Sequence, residues 1–228
     1  MKLLPPAVER VFYAAIRPFV DRLLRSGIRP NTITTVGTAL VLISAGAYGA
    51  GWIRLGGLFL LLSGLVDTLD GQVARSGGMV SRFGAFYDST LDRVGDGATF
   101  IGIATYLLLA PDVAYRIPAV VVCMVAILAS LLVSYARARA EGLGLDCKVG
   151  IAQRAERIVG LGGASLFVGA GPRALVLEVI VALLAVASII TVVQRFWYVY
   201  QHTSGEDAPP DAAPVERPAA LDTLAKGP

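Results

Sequence analysis

Four aspartates lie within two consecutive apolar segments of this chain. Asp67 and Asp70 are three residues apart in the first segment, and Asp88 and Asp92 are four apart in the second. A carboxylate at bilayer depth costs about 2.5–3.5 kcal/mol on insertion scales, so such residues persist where they pair, line a polar cavity or bind a ligand. Both spacings put the paired carboxylates on one face of a helix. The pattern therefore predicts a polar site between two helices.

The composition is that of a membrane protein. Of 228 residues, 55% are hydrophobic and 16% charged, and the mean hydropathy is +0.67, which is outside the usual range for soluble domains. We predict an all-α integral membrane protein with about six transmembrane helices, since a span needs about twenty apolar residues. The predicted spans are 32–52, 55–74, 84–110, 117–138, 155–172 and 174–197.

Different patterns flank these spans. Residues 1–28 predict an N-terminal amphipathic juxtamembrane helix, because apolar residues recur at helical spacing and arginines fall elsewhere around the helix. Such a helix fits the membrane interface and packing on the bundle equally well. Residues 29–200 form the predicted transmembrane domain. Residues 201–228 are rich in Pro, Ala and acidic residues and predict a disordered cytoplasmic tail.

The basic residues predict an orientation. Of the 20 Lys and Arg residues, the loops predicted to lie outside contain Arg54, Arg116 and Arg173. The positive-inside rule then puts both termini, and with them the acidic site, near the cytoplasmic face of the membrane.

The facing carboxylates predict a cation site. They cannot all stay ionised side by side without a compensating positive charge, and one or two Mg²⁺ or Mn²⁺ ions are the hard cations suited to oxygen ligands. His202 is the only histidine and follows the last predicted span, so general-base chemistry must fall to a carboxylate. Gly71, Ala74 and Gly84 would let a large ligand approach the backbone, although small residues also serve helix packing.

From Asp67 to Asp92 the chain reads D-x2-D-G-x2-A-R-x8-G-x3-D-x3-D. This run resembles the signature of the CDP-alcohol phosphatidyltransferases at every fixed position. The resemblance implies that an acceptor hydroxyl displaces CMP from a CDP-linked lipid, with carboxylate-bound divalent ions neutralising the pyrophosphate. It also implies that Asp67, Asp70 and Asp88 bind metal, and that Asp92 is the general base and also contacts a metal ion.

The same resemblance implies a nucleotide site. Arg75 would meet a nucleotide phosphate, and Gly71, Ala74 and Gly84 would leave room for the cytidine. Asn31 and Thr34 belong to a P-N-x-x-T element that borders the nucleotide in this family. An N-cap role for Asn31 is the plainer alternative. Asp96 continues the series one turn further, outside the signature, and we interpret it as a supporting residue.

Two further stretches bear on the acceptor. They read Ser134-Tyr-Ala-Arg137-Ala-Arg-Ala-Glu and Gln153-Arg154-Ala-Glu-Arg, and they resemble S-Y-x-[KR]-A-R-A-E and E-R-x-E-R of the phosphatidylinositol phosphate synthases and their archaeal relatives. That resemblance implies a pocket for the phosphate of inositol phosphate, formed by Ser134, Arg137, Arg154 and Arg195. Guanidinium groups suit bidentate phosphate capture. Gln153 replaces the usual acidic residue, and arginines at helix ends are otherwise membrane anchors.

Other functions remain open on the sequence. Glycerol 3-phosphate would also suit a basic pocket and would indicate a phosphatidylglycerophosphate synthase, whereas serine brings no phosphate. A divalent-metal transporter would also hold carboxylates in a helix bundle, but its site would be expected within repeated, broken helices. The expected partners are CDP-diacylglycerol, the acceptor and membrane lipids, without nucleic acid. The family implies a homodimer, and we expect a prokaryotic plasma membrane protein.

Overall fold

The computed structural model describes residues 6–204, and within this range the chain is all-α, with no strand. The predicted fold class is confirmed to this extent. The predicted tail lies almost wholly outside the described residues. The helices are α1 (Pro6–Arg25), α2 (Pro30–Gly49), α3 (Ile53–Ser76), α4 (Arg82–Leu109), α5 (Arg116–Glu141), α6 (Arg154–Phe167) and α7 (Leu175–Thr203), with a 3-10 turn, Pro172–Ala174, before α7.

Among the described residues, three helical segments are long and apolar enough to cross a membrane: α2, α5 and the segment Pro172–Thr203 that contains α7. They indicate a membrane protein. Helices α3 and α4, of 24 and 28 residues, are about 36 and 42 Å long at 1.5 Å per residue, but they carry the site aspartates. Helix α6 has 14 residues, or about 21 Å, which is shorter than the roughly 30 Å hydrocarbon core. The total of six spans therefore stays a prediction.

Helix α6 is shorter than its predicted span, 155–172, because the chain turns after Phe167. Gly169 and Gly171 have φ values of 78° and 72°, in the left-handed region that glycine adopts readily. Arg173 and Ala174 also have positive φ. These residues make a sharp turn into α7, which continues to Thr203.

Close helix contacts depend on small residues. A Cβ at Gly102 of α4 would overlap the carbonyl oxygen of Ala45 in α2. A Cβ at Gly57 of α3 would lie 2.6 Å from the carbonyl oxygen of Gly162 in α6. Small residues let backbones approach closely where lipid supplies no hydrophobic drive between helices. The α2–α4 and α3–α6 pairs are therefore set by glycine.

Helix α1 packs on the bundle along one face. Val20 is buried beside Ile33 of α2 and Val73 of α3, whereas Phe19 remains 64% exposed. The predicted amphipathic helix thus contacts the bundle through one side and exposes an aromatic residue on another.

Six helix segments meet at one end of the bundle because helices that follow one another in the chain run in opposite directions. They are the C-terminal parts of α3, α5 and α7 and the N-terminal parts of α2, α4 and α6. We call this the site end, since it carries Asp67–Asp96, Ser134–Glu141, Gln153–Arg157 and Arg195. The opposite end, formed by residues 49–55, 106–116 and 168–178, is called the far end.

Candidate active site

Three aspartates form a compact group at the site end. One carboxylate oxygen from each of Asp67, Asp70 and Asp88 lies within 4.8 Å of the others. Asp70 is buried, and its Oδ2 accepts a hydrogen bond of 2.7 Å from Thr34 Oγ1. The buried Oδ1 of Asp88 has no hydrogen-bond partner among the described residues. A buried oxygen left without a donor beside two other carboxylates suits a hard divalent cation such as Mg²⁺ or Mn²⁺.

Asp92 lies outside this group of three. Its Oδ1 is 2.8 Å from Nη1 of Arg154, and the same nitrogen is 2.8 Å from Oδ1 of Asp67. Arg154 therefore bridges Asp67, one of the three grouped aspartates, and Asp92, the carboxylate expected to act as base. A metal contact by Asp92 itself stays a prediction.

A large cavity opens beside these carboxylates. Its volume is about 1110 Å³, and Asp88 and Asp92 form part of its lining. All four residues expected to bind the acceptor also line it: Ser134, Arg137, Arg154 and Arg195. They come from α5, α6 and α7, so the tertiary structure brings together stretches that are far apart in sequence. The cavity lining combines carboxylates with guanidinium groups.

Arg137 and Arg195 are held in the cavity lining in different ways. Arg137 is about 43% exposed and pairs with Glu141 of its own helix at 2.8 Å, so it has room to reorient toward a ligand. Arg195 is 3% exposed. Its Nε donates to the carbonyl oxygen of Val149 at 3.0 Å, and its Nη1 donates to that of Val133. Arg195 thus also anchors the loop before α6.

The residues expected at the nucleotide form a second group along α2, α3 and α4. The Oδ1 of Asn31 lies 3.3 Å from the position that a Cβ would occupy at Gly84. A Cβ at Gly71 would lie 3.2 Å from Nη1 of Arg75, so that guanidinium folds over the glycine. Asn31 does not cap α2, because the N-cap is Arg29 and no side chain caps this helix. The plainer explanation of Asn31 is therefore not supported.

The two remaining residues expected at the nucleotide are Thr34 and Ala74. The hydroxyl of Thr34 donates to Asp70, as described above, and so orients one of the three grouped carboxylates. Ala74 is half-buried on α3, one residue from the fully buried Val73.

Sequence reasoning missed a buried ion pair in the lining of the cavity, where Arg157 is one of the lining residues. Arg157 Nη2 donates to Asp96 Oδ2, and both side chains are at most 10% exposed. Arg157 belongs to the second acceptor stretch, so that pattern could have singled it out. Lys148 also lines the cavity, paired with Asp146 at 2.6 Å, and no sequence pattern pointed to it.

Comparison with known proteins agrees with this geometry. Residues 28–197 match the CDP-alcohol phosphatidyltransferase family. The phosphatidylinositol phosphate synthase of Mycobacteroides abscessus is 34% identical over 188 residues, which is 82% of this chain and 84% of that protein. The archaetidylinositol phosphate synthase of Methanothermobacter thermautotrophicus is 37% identical over 191 residues, or 83% of this chain and 93% of the relative.

Solved structures of a related enzyme share the fold. The Mycobacterium tuberculosis phosphatidylinositol phosphate synthase with CDP-DAG bound superposes with a TM-score of 0.73 at 33% identity, covering 85% of this chain and 98% of that one. The same enzyme in complex with manganese and citrate gives a TM-score of 0.73 at 33% identity, covering 84% and 92%. With the group of three aspartates and the complete signature in place, this chain belongs to the CDP-alcohol phosphatidyltransferase family.

Proposed function

We propose that this protein transfers the phosphatidyl group of CDP-diacylglycerol to a hydroxyl of inositol phosphate and releases CMP, as a step in phospholipid synthesis. The observation that carries the proposal is the single cavity that places Arg137, Arg154 and Arg195 beside Asp88 and Asp92. A phosphorylated acceptor needs both kinds of group, because cations hold its phosphate while a carboxylate accepts the proton of its hydroxyl. Family membership favours this transferase over the metal-transporter alternative.

In this proposal the two substrates occupy neighbouring regions. Asn31, Thr34, Gly71, Ala74, Arg75 and Gly84 surround the nucleotide. Asp67, Asp70 and Asp88 would hold a divalent ion, which would neutralise the pyrophosphate and stabilise the leaving phosphate oxygen. The small side chains allow the nucleotide to approach the helix backbone, and the Arg75 guanidinium, which now covers Gly71, is within reach of a phosphate.

The chemical step then follows from the position of Asp92. The acceptor hydroxyl oxygen forms a bond to the phosphatidyl phosphorus, the bond from that phosphorus to the CMP oxygen breaks, and Asp92 accepts the hydroxyl proton. Arg154 contacts Asp92 at 2.8 Å and so holds the base in one orientation. Ser134, Arg137, Arg154 and Arg195 bind the acceptor phosphate, which fixes the hydroxyl against the base.

The proposal includes a membrane arrangement. We propose six spans within the domain 29–200, an interfacial helix in 1–28, a cytoplasmic tail at 201–228 and a site near the cytoplasmic face of a prokaryotic plasma membrane, in a homodimer. The three long apolar helices and the distribution of basic residues support this arrangement.

The decisive experiment is an acceptor screen with the purified protein in detergent. CMP release from CDP-diacylglycerol is measured with inositol phosphate, glycerol 3-phosphate, inositol or serine, with Mg²⁺, Mn²⁺ or EDTA. We expect release with inositol phosphate and a divalent metal, and none with EDTA. Preference for glycerol 3-phosphate would instead identify a phosphatidylglycerophosphate synthase. Equal rates with inositol and inositol phosphate would contradict a phosphate-binding pocket.

A further inference from the structure

The ion pair between Asp96 and Arg157 is built into the wall of the cavity. Their side chains are 10% and 5% exposed. Arg157 is held from two sides, since Nη2 donates to Asp96 Oδ2 and Nη1 donates to the carbonyl oxygen of Ala152 at 3.0 Å. Neither residue belongs to the aspartate signature. The pair therefore joins α4 to the start of α6 as a fixed element.

The second oxygen of Asp96 is directed toward Arg154. Asp96 Oδ1 is 3.7 Å from Nε of Arg154, while Nη1 of the same arginine is 2.8 Å from both Asp67 and Asp92. Arg154 thus lies within ion-pair distance of Asp96 through Nε, without a hydrogen bond there, and contacts two site carboxylates through Nη1. Arg154 and Arg157 are three residues apart, so they project from one face of α6.

This arrangement has an electrostatic consequence. Asp96 carries a negative charge close to Arg154, and without a counter-ion it would compete with Asp92 for that guanidinium. Arg157 neutralises Asp96 by a direct charge-assisted hydrogen bond. Asp96 can then orient Arg154 through its Nε without drawing it away from the cavity.

We propose that Asp96 and Arg157 act as positioning residues that fix the Arg154 guanidinium at the junction of acceptor phosphate and base. This inference rests on the proposed function. It assigns to the pair a role in acceptor selection that acts through Arg154. Arg157 borders the same cavity, but its Nη1 and Nη2 are occupied by Ala152 and Asp96. A purely structural ion pair would contribute to stability and would leave the preference between substrates unchanged.

The test removes both charges together. Asp96→Asn alone would leave Arg157 buried without a counter-charge, which is strongly destabilising. The neutral variant D96N/R157Q avoids this by removing both charges while keeping hydrogen-bonding side chains at both positions. It is compared with wild type, with R154Q and with the triple variant D96N/R157Q/R154Q. For each protein, steady-state kinetics give kcat and the KM for inositol phosphate and for CDP-diacylglycerol, and calorimetry with Mn²⁺ gives the Kd for inositol phosphate.

We expect a change confined to the acceptor. The D96N/R157Q variant should raise both the KM and the Kd for inositol phosphate about fivefold or more, and change the KM for CDP-diacylglycerol by less than about twofold. If the pair acts through Arg154, the triple variant should be within about twofold of R154Q alone, because residues in one network are not additive.

Two results would overturn the inference. In one, the triple variant raises the KM for inositol phosphate by the product of the factors found for D96N/R157Q and for R154Q. In the other, the KM values for both substrates rise equally. Glu178→Gln is the matched control: this buried carboxylate at the far end accepts a hydrogen bond of 2.9 Å from the Tyr115 amide, so it shows what lost stability alone does to the kinetic constants. If wild type releases no CMP with inositol phosphate, the proposed function fails. The calorimetric comparison still decides the positioning role, and absence of binding to wild type would overturn it too.

Discussion

The two ends of this helix bundle handle charge in opposite ways. At the site end, Arg154 contacts Asp67 and Asp92 through a side chain that is only 21% exposed. At the far end, Arg173 pairs with Asp112 at 3.0 Å, and both side chains are more than 60% exposed. Surface pairs of this kind contribute little free energy because water solvates both charges. Partly buried charges have lost that solvation, so their arrangement must be compensated by neighbours or by a ligand.

The cavities at the two ends differ in the same way. The far-end cavity is about 530 Å³, and of the described residues in its lining one, Arg54, is charged, beside Trp52 and Tyr106. The site-end cavity is about twice as large and is lined by residues of both charges. Buried charge does occur at the far end, but Glu178 there is used by a backbone amide at the start of α5. Buried charge alone therefore does not mark a site; the grouping of three carboxylates within 4.8 Å of one another does.

Removing the carboxylate proposed as general base should give the largest effect at the site end. We expect Asp92→Asn to reduce kcat about 10²–10⁴-fold, the usual contribution of a positioned general base. Binding of CDP-diacylglycerol should persist, because the group of Asp67, Asp70 and Asp88 is intact. CMP release and equilibrium binding of the CDP-lipid measure the two effects separately. Loss of lipid binding in step with activity would assign Asp92 to the metal group instead.

A metal ligand should give the next largest effect. Asp70→Asn keeps an oxygen for the Thr34 hydroxyl but removes a charge from the metal group. Since a charge-assisted bond contributes roughly 1.5–3 kcal/mol, we expect the Mn²⁺ concentration for half-maximal activity to rise about tenfold or more. Asp67→Asn and Asp88→Asn should act in the same direction. An unchanged metal requirement in all three variants would exclude a metal site at this position.

The proposed role of the cavity arginines in acceptor binding can be tested with two arginines of one helix. Arg137 lines the cavity, whereas Arg139 is exposed on α5 and is not part of the cavity lining. We expect Arg137→Gln to raise the KM for inositol phosphate about tenfold, by loss of one charge-assisted bond, with little change for CDP-diacylglycerol. Arg139→Gln changes the net charge equally and should leave both constants near wild type. An equal rise of the KM for inositol phosphate in the two variants would indicate that Arg137 is a membrane anchor.

The far end should show the smallest effect. Arg173→Gln removes an exposed ion pair, so we expect a change of less than about 1 kcal/mol in the free energy of unfolding. Activity should not change, since Arg173 lies at the opposite end from the carboxylates. Thermal unfolding in detergent and CMP release are the measurements. A marked loss of activity with unchanged stability would show that the two ends are coupled.

The sequence by itself determined the helical class and the two aspartate pairs that each share a helix face, Asp67 with Asp70 and Asp88 with Asp92. Both follow from local geometry, because the three- and four-residue spacings align side chains on one helix face wherever the helix packs. The same reasoning gave the amphipathic face of α1, of which Val20 is buried and Phe19 exposed. Resemblance extended this to the acceptor arginines, which the fold then brought into one cavity.

Only the tertiary structure decided how these residues are connected. Thr34 and Asp70 are 36 residues apart in sequence, Arg157 and Asp96 are 61 apart, and Arg154 and Asp67 are 87 apart. No periodicity reaches across such separations, because they depend on which helices pack together and at what height. The length of α6 likewise does not follow from the apolar composition of its segment, because a left-handed turn at Gly169 ends the helix early. The sequence thus determined which charges exist on each helix, and the packing of the helices determined which charges meet.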